Sequence, residues 1–174
     1  IMHSRNALFL LLFLAGMIVS TTNLLAPVHE FGHLIVAKHD GGHSEITSWS
    51  TAKSTPALNQ ALAGYWIEVV VFCIAGQVVA AIGKGKGRWW WWCGFFFGHA
   101  FLTMFLAFRS YDFNDYVVEF AKYVRSPESI DVFKKAVRSR WILLCTALVV
   151  VNGPIVYFRY LRVAHKQVQN KQGH

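Results

Sequence analysis

Residues 28–34 read VHEFGHL, and within them His29 and His33 stand four apart with Glu30 between. On an α-helix, residues four apart share a face, so both imidazoles can turn a ring nitrogen toward one ion. Glu30 projects beside that ion without being needed as a ligand, which leaves its carboxylate free to act as a general base. This is the logic of the H-E-x-x-H zinc hydrolases. Two histidines hold Zn2+, a third protein ligand comes from elsewhere in the chain, and water takes the open position. Bound water of this kind has its pKa lowered toward about 7, and the glutamate takes its proton during attack on a carbonyl. The competing reading is a helix end whose polar groups merely meet lipid headgroups.

The surroundings of this heptad are apolar. ALFLLLFLAGMIV precedes it at 7–19 and LIVA follows at 34–37. Of the 174 residues, 55% are hydrophobic and only 15% charged, a balance that points to a membrane protein rather than a water-soluble one. Glutamate and histidine beside lipid are costly unless paired or ligating, which favours metal binding over the headgroup reading. The net charge of +8 raises the question of nucleic acid. Yet the basic residues flank apolar runs (Lys84, Lys86 and Arg88; Arg138 and Arg140; Arg159 and Arg162), where anionic headgroups would meet them. No basic aromatic platform or groove-reading helix is visible, so nucleic acid is not an expected partner and membrane lipid is. Cys73, Cys93 and Cys145 lie in or beside apolar runs without C-x-x-C spacing, as buried small hydrophobes do.

The elements that must position these residues follow from length and pattern. A bilayer core roughly 30 Å thick needs about 20 apolar residues per helix. The stretches 62–82, 89–108 and 141–158 meet or approach that length, and Trp89–Trp92 beside Arg88 resembles an interfacial aromatic belt. The N-terminal run looks like a signal peptide, but no small-x-small site follows Val19, so it reads as a retained span. Two arrangements suit the region up to Ala37: one long helix kinked at Pro27, or a tight hairpin turning at STTN, residues 20–23. The hairpin is preferred, with an N-terminal span over 1–24 and the HEFGH helix over 25–39. Gly41-Gly42 should end that helix, and the alternation through SEITSWST allows a short strand. Interfacial helices are expected over 113–138. In the first, Val117, Phe120, Ala121 and Val124 follow helical spacing on the membrane surface; Ser126-Pro127 opens a second, short one ending near Arg138. The expected architecture is one all-α domain, 1–174, a polytopic bundle of four to five transmembrane helices.

Candidates for the third ligand are the remaining acids and histidines, and Glu68, His99, Asp112 and Asp115 stand out. Glu68 and His99 interrupt apolar spans and are functional candidates for that reason alone. Two spans separate the end of the HEFGH helix from Asp112, and two crossings return the chain to the same side. His99 should then sit about half a bilayer deeper than Asp112, at 1.5 Å per residue over roughly ten residues. Asp112 is the preferred ligand and Asp115 the next, with a surface helix cap as the plainer role for either.

Taken together, these features resemble the site-2 protease family of intramembrane zinc metalloproteases, particularly its small members, across residues 25–115. HEFGHLIVAKHDGG resembles the family's active-site helix and the turn after it. ALAGYWIEVVVFCIAGQ resembles the next span, with Tyr65 where the family has proline, and YDFNDY occupies the place of the motif that carries the third ligand. The resemblance implies His29, His33 and Asp112 as Zn2+ ligands, Glu30 as the catalytic base, and a membrane-protein substrate. The family's Asn-Pro…Asp-Gly form is absent, and NGP at 152–154 has no acid after it and should mark only a break in the last helix. Two other functions suit the same residues. One is a catalytically silent, metalloprotease-like subunit of a larger membrane complex. The other, a metal transporter using His29, His33, His39, His43 and His99, is disfavoured because no pair of half-helices is repeated.

Overall fold

The computed structural model describes the backbone of residues 2–83, 87–107 and 111–172, and the side chains of all these except residues 2–6, 23, 87–90, 111, 112 and 156–172. Helix α1 (Met2–Ser20) ends in a turn in which the hydroxyls of Ser20, Thr21 and Thr22 each donate to the carbonyl three residues back. A 3-10 turn (Asn23–Leu25) leads into α2 (Ala26–His39). Proline sits in the first turn of α2, where its missing N–H costs nothing. The C-terminus closes as a Schellman motif: Gly42 N–H donates to the Ala37 carbonyl and Gly41 N–H to that of Lys38. Gly41 takes the φ of +71° that this motif requires.

The N-terminal region is therefore two helices, as expected. They do not form a mutually packed hairpin, however. α1 packs along α4 (Gly87–Leu106), whereas α2 packs against α3 (Ala63–Ile82). Glycines explain the partner choice of α1. A Cβ built on Gly16 would overlap the Phe95 carbonyl oxygen, one on Gly94 the Phe9 carbonyl, and one on Gly98 the Phe13 carbonyl. Small residues at this spacing let two apolar helices approach backbone to backbone, which in a lipid-like setting is the main source of helix–helix attraction.

Between α2 and α3 the expected short strand is half of a hairpin, β1 (Ser44–Ser48) paired antiparallel to β2 (Thr51–Ser54), with a register irregularity between Ile46 and Ser48. A 3-10 turn (Leu58–Leu62) then runs directly into α3. Helix α5 (Tyr111–Tyr123) buries Phe113, Val117 and Ala121, a stripe at four-residue spacing. It rests on the 58–62 turn and on the last helix, so it belongs to the bundle rather than lying on a membrane surface alone. α5 also ends in a Schellman motif, with Arg125 at φ 56° and Ser126 N–H donating to the Ala121 carbonyl.

The last part of the chain departs from expectation. The short helix ending near Arg138 and the following span are one helix, α6 (Ile130–Gln172), entered through a 3-10 turn at Pro127–Ser129. No glycine or proline separates Arg138 from Trp141, and buried Trp141 donates its indole N–H to the Met104 carbonyl at 3.0 Å, fixing α6 to α4. NGP does not break the helix either. Pro154 lies within α6. Asn152 just before it donates to the Leu148 carbonyl at 2.8 Å and accepts from Gln77 of α3 at 3.0 Å, the kind of side-chain and neighbouring-helix support that lets an apolar helix carry a proline.

The core lies where α3, α4, α5 and α6 converge, around Val69, Phe72, Ala100, Phe113, Val117 and Trp141. Among the described residues, two helices are long and apolar enough to cross a membrane, over Leu58–Ile82 and Pro127–Ile155. Shorter apolar helices cover Ala7–Ser20 and Trp91–Leu106. Cys73 is a buried thiol, Cys93 is buried with its thiol donating to the Gly76 carbonyl at 3.5 Å, and Cys145 is half-buried. If the α1–α4 seam depends on backbone approach, Gly98→Ala should destabilise the bundle by about 1–3 kcal/mol and Gly98→Leu by more. Reversible denaturation in detergent micelles measures this; equal midpoints for all three proteins would refute the seam.

Candidate functional site

His29, Glu30 and His33 sit in the first two turns or so of α2 and are 8%, 8% and 2% exposed. The headgroup reading therefore fails, since these side chains face into the bundle. α2 can seat them there because Gly32, on the same stripe, touches α3: a Cβ on it would overlap the Ala63 carbonyl. At the next residue of α3, Gly64 carries the His29 ring directly against its backbone, with no room for a Cβ. The two imidazole centroids are 5.3 Å apart. Tyr65 meets the His29 ring edge-on at 4.5 Å, and Tyr116 of α5 stacks on His33 at 4.9 Å.

Each ring is held through Nδ1. His33 Nδ1 lies 2.9 Å from Gln60 Oε1, and Gln60 Nε2 donates to the His33 backbone carbonyl at 3.2 Å. Because that second contact commits the amide nitrogen as donor, Oε1 is the acceptor and His33 carries its proton on Nδ1. His29 Nδ1 lies 3.0 Å from Glu68 Oε1. Glu68 Oε2 in turn is 3.2 Å from His99 Nε2 and 3.4 Å from the donating hydroxyl of Thr103. Gly64 and Glu68 are four apart on α3, and His99 and Thr103 four apart on α4, so helical spacing alone brings each pair to one face. An ionised Glu68 accepts from all three groups. A proton on Nδ1 leaves Nε2 of each α2 imidazole as the electron-pair donor, the arrangement in which a histidine binds a metal while an acceptor behind it fixes ring and tautomer.

The structure brings together His29, Glu30, His33, Glu68 and His99. Asp112 lies in the first turn of α5, one turn before Tyr116, and its side chain falls outside the described residues. Asp115 is half-buried on the same helix. His39 and His43 lie at the exposed end of α2 and the start of the hairpin, away from the pair. Among the described residues, no group of three or more histidine, cysteine, aspartate or glutamate side chains is arranged to hold a metal ion. His99, expected about half a bilayer deeper than Asp112, nonetheless meets the α2 pair, because His29 occupies the first turn of α2, at the end away from His39, and one carboxylate joins the two rings.

Gln60 was not a candidate from sequence, because an amide at the end of a polar loop carries no periodic signal. The turn bearing it is tied down from outside. Asn59 donates to Asp40 Oδ2 at 3.0 Å and accepts from Arg140 of α6 at 3.1 Å, while Asp40 Oδ1 pairs with His39 at 3.0 Å. Comparison with protein-family models, with curated proteins and with solved structures gave no match.

The hydrogen bond from His39, and to a lesser degree that from Asn59, holds the Asp40 carboxyl below its ordinary 3.8 despite slight burial. A depressed folded-state value means a stabilising contribution that is complete above the unfolded value and lost as pH falls through the folded one. The stability difference between the protein and Asp40→Asn should therefore be a few tenths of a kcal/mol, roughly constant from pH 7 to about 5. It should shrink toward zero below about pH 4. Paired denaturation curves across that range check the sign.

Proposed function

We propose that the chain is a multi-pass membrane zinc endopeptidase of the site-2 protease kind, cleaving membrane-protein substrates. The observation that carries this reading is the buried HEFGH helix with both imidazoles backed at Nδ1 by an acceptor. Such backing is expected of metal-ligating histidines. The donor chemistry suits zinc: two imidazole Nε2 atoms, with Asp112 as the third ligand, since Tyr116, one turn further along the same helix, stacks on His33. Membrane embedding draws support from the apolar helices themselves. Only 33% of the α3 window and 11% of the α6 window is buried, unlike the core helix of a soluble fold. Large apolar side chains such as Ile74, Ile82, Leu143 and Val150 face outward at 57–72% exposure, and lipid would cover them.

Zinc bound there supplies Lewis-acid chemistry to water and to the scissile carbonyl. The chain's own groups account for the rest. Glu30, buried beside both ligands, takes a proton from the attacking water and returns it to the departing amide nitrogen as the C–N bond breaks. Gln60 and Glu68 keep the imidazoles from turning during the cycle. A substrate helix must unwind locally to present an extended peptide bond, because its backbone groups are otherwise engaged in helical hydrogen bonds.

A silent, accessory role in a larger complex is the second reading. It is favoured by the broad unpartnered apolar face of α6 and by Tyr65 in place of the family's proline. The two are separated by a reconstituted cleavage assay with a single-span reporter. Glu30→Gln should lower cleavage by at least about 100-fold while zinc stays at one per chain, and His33→Ala should lose both zinc and cleavage. Full turnover by Glu30→Gln would defeat the assigned mechanism. Stoichiometric zinc without any cleavage by the unaltered protein would favour the accessory role.

A further inference from the structure

We propose that Glu68 is a positioning residue shared by two histidines: it fixes the proton of His29 on Nδ1, and His99 holds Glu68 for that purpose rather than serving as a ligand itself. This rests on the zinc reading for its consequence but not for its geometry.

Glu68 is 8% exposed in the middle of an apolar helix, where a carboxylate persists only if its lone pairs are satisfied. Both oxygens are engaged, Oε1 by His29 and Oε2 by His99 and Thr103. A carboxylate has no proton to give, so the contact makes each ring the donor. His29 is thereby the Nδ1–H tautomer, offering Nε2, and His99 is the Nε2–H tautomer. The direction of His99 supports a holding role. Its Nε2 is spent on Glu68, and its other nitrogen, Nδ1, is buried with no hydrogen-bond partner among the described residues, in a ring whose centroid lies 4.0 Å from that of Phe72. With Glu68 joined to His99 through one oxygen and to His29 through the other, His99 reaches the α2 pair through the carboxylate, which is the place of a holding group. The two α2 histidines are also backed unequally. His33 leans on the neutral amide of Gln60, whereas His29 leans on a carboxylate, which raises ring basicity and provides a negative charge behind a bound dication.

The test uses the full-length protein in detergent micelles with 15N-labelled histidine, first metal-free and then in competition with a zinc chelator. In the unaltered protein, two-bond 15N–1H correlations should show His29 as Nδ1–H and His99 as Nε2–H. Glu68→Ala should remove the His29 preference and weaken zinc binding about 10- to 100-fold. Glu68→Gln tests the same point with the shape preserved: the amide presents an accepting oxygen to one ring and a donating nitrogen to the other, so one of the two histidines should change tautomer. His99→Gln, which still donates to Glu68, should bind zinc within about threefold of the unaltered protein, and His99→Leu should bind several-fold more weakly. Unchanged tautomers in both Glu68 variants, or zinc binding in Glu68→Ala as tight as before, would overturn the proposal. So would loss of zinc in His99→Gln as complete as in His33→Ala, since that is what removing a ligand does. If the unaltered protein binds no zinc but its tautomers respond as described, the zinc reading fails while the proton placement by Glu68 stands.

Discussion

The site depends on how closely α2 and α3 approach. Gly32 brings the backbone of α2 against the Ala63 carbonyl, and Gly64 leaves the space on α3 that the His29 ring fills. That contact sets the register. With the backbones touching at Gly32 and Ala63, the next turn of α3 delivers Glu68 to His29 Nδ1, and the turn preceding α3 delivers Gln60 to His33 Nδ1. A methyl group at Gly32 would push the helices apart, and one at Gly64 would displace the His29 ring from its place. The second contact of each ring, and with it the tautomer, would go first.

Polar groups in an apolar bundle are held in chains rather than pairs, and the reason is energetic. An unsatisfied buried donor or acceptor costs about 1–3 kcal/mol, more when charged. Glu68 accordingly gathers His29, His99 and Thr103, and Gln60 uses both ends of its amide on His33. Farther along α3 the same rule appears as Gln77 with Asn152, which in turn reaches back to the Leu148 carbonyl just ahead of Pro154. Glu68, Gln60, Gln77 and Asn152 thus each link two elements or more, so the interactions that satisfy them also fix helix order.

Much of this was legible in the residues, and the limits have physical causes. The histidine spacing, the Gly41-Gly42 stop and the separation of α1 from α2 depend on local periodicity and backbone conformation, which sequence carries directly. Glu68 and His99 could be seen as polar interruptions of apolar runs, but not as partners, because their meeting depends on the rotation of α3 against α4. Gln60 was invisible for the same reason in stronger form, having no periodic context at all. The continuity of α6 was misjudged at both ends. A charged stretch followed by an apolar one reads as surface helix and then span, yet nothing at 138–141 interrupts helical hydrogen bonding. A proline reads as a break only until a neighbouring helix supplies the compensating contacts.

The N-terminal helix, which carries none of the chemistry-bearing residues, nonetheless takes part in the site through α4. Gly98 rests against the Phe13 carbonyl, and a Cβ on Gly16 would meet the backbone nitrogen of His99 at 3.0 Å. The residue that holds Glu68 is thus locked in depth by a seam one helix further away. Shifting α4 by a single residue along that seam would move His99 by 1.5 Å and turn it by about 100°, taking Nε2 out of reach of the carboxylate. The glycines of α1 and α4 and the imidazole at 99 therefore act as one unit. The order in which α1, α4, α3 and α2 touch is the order in which the position of the first histidine is determined.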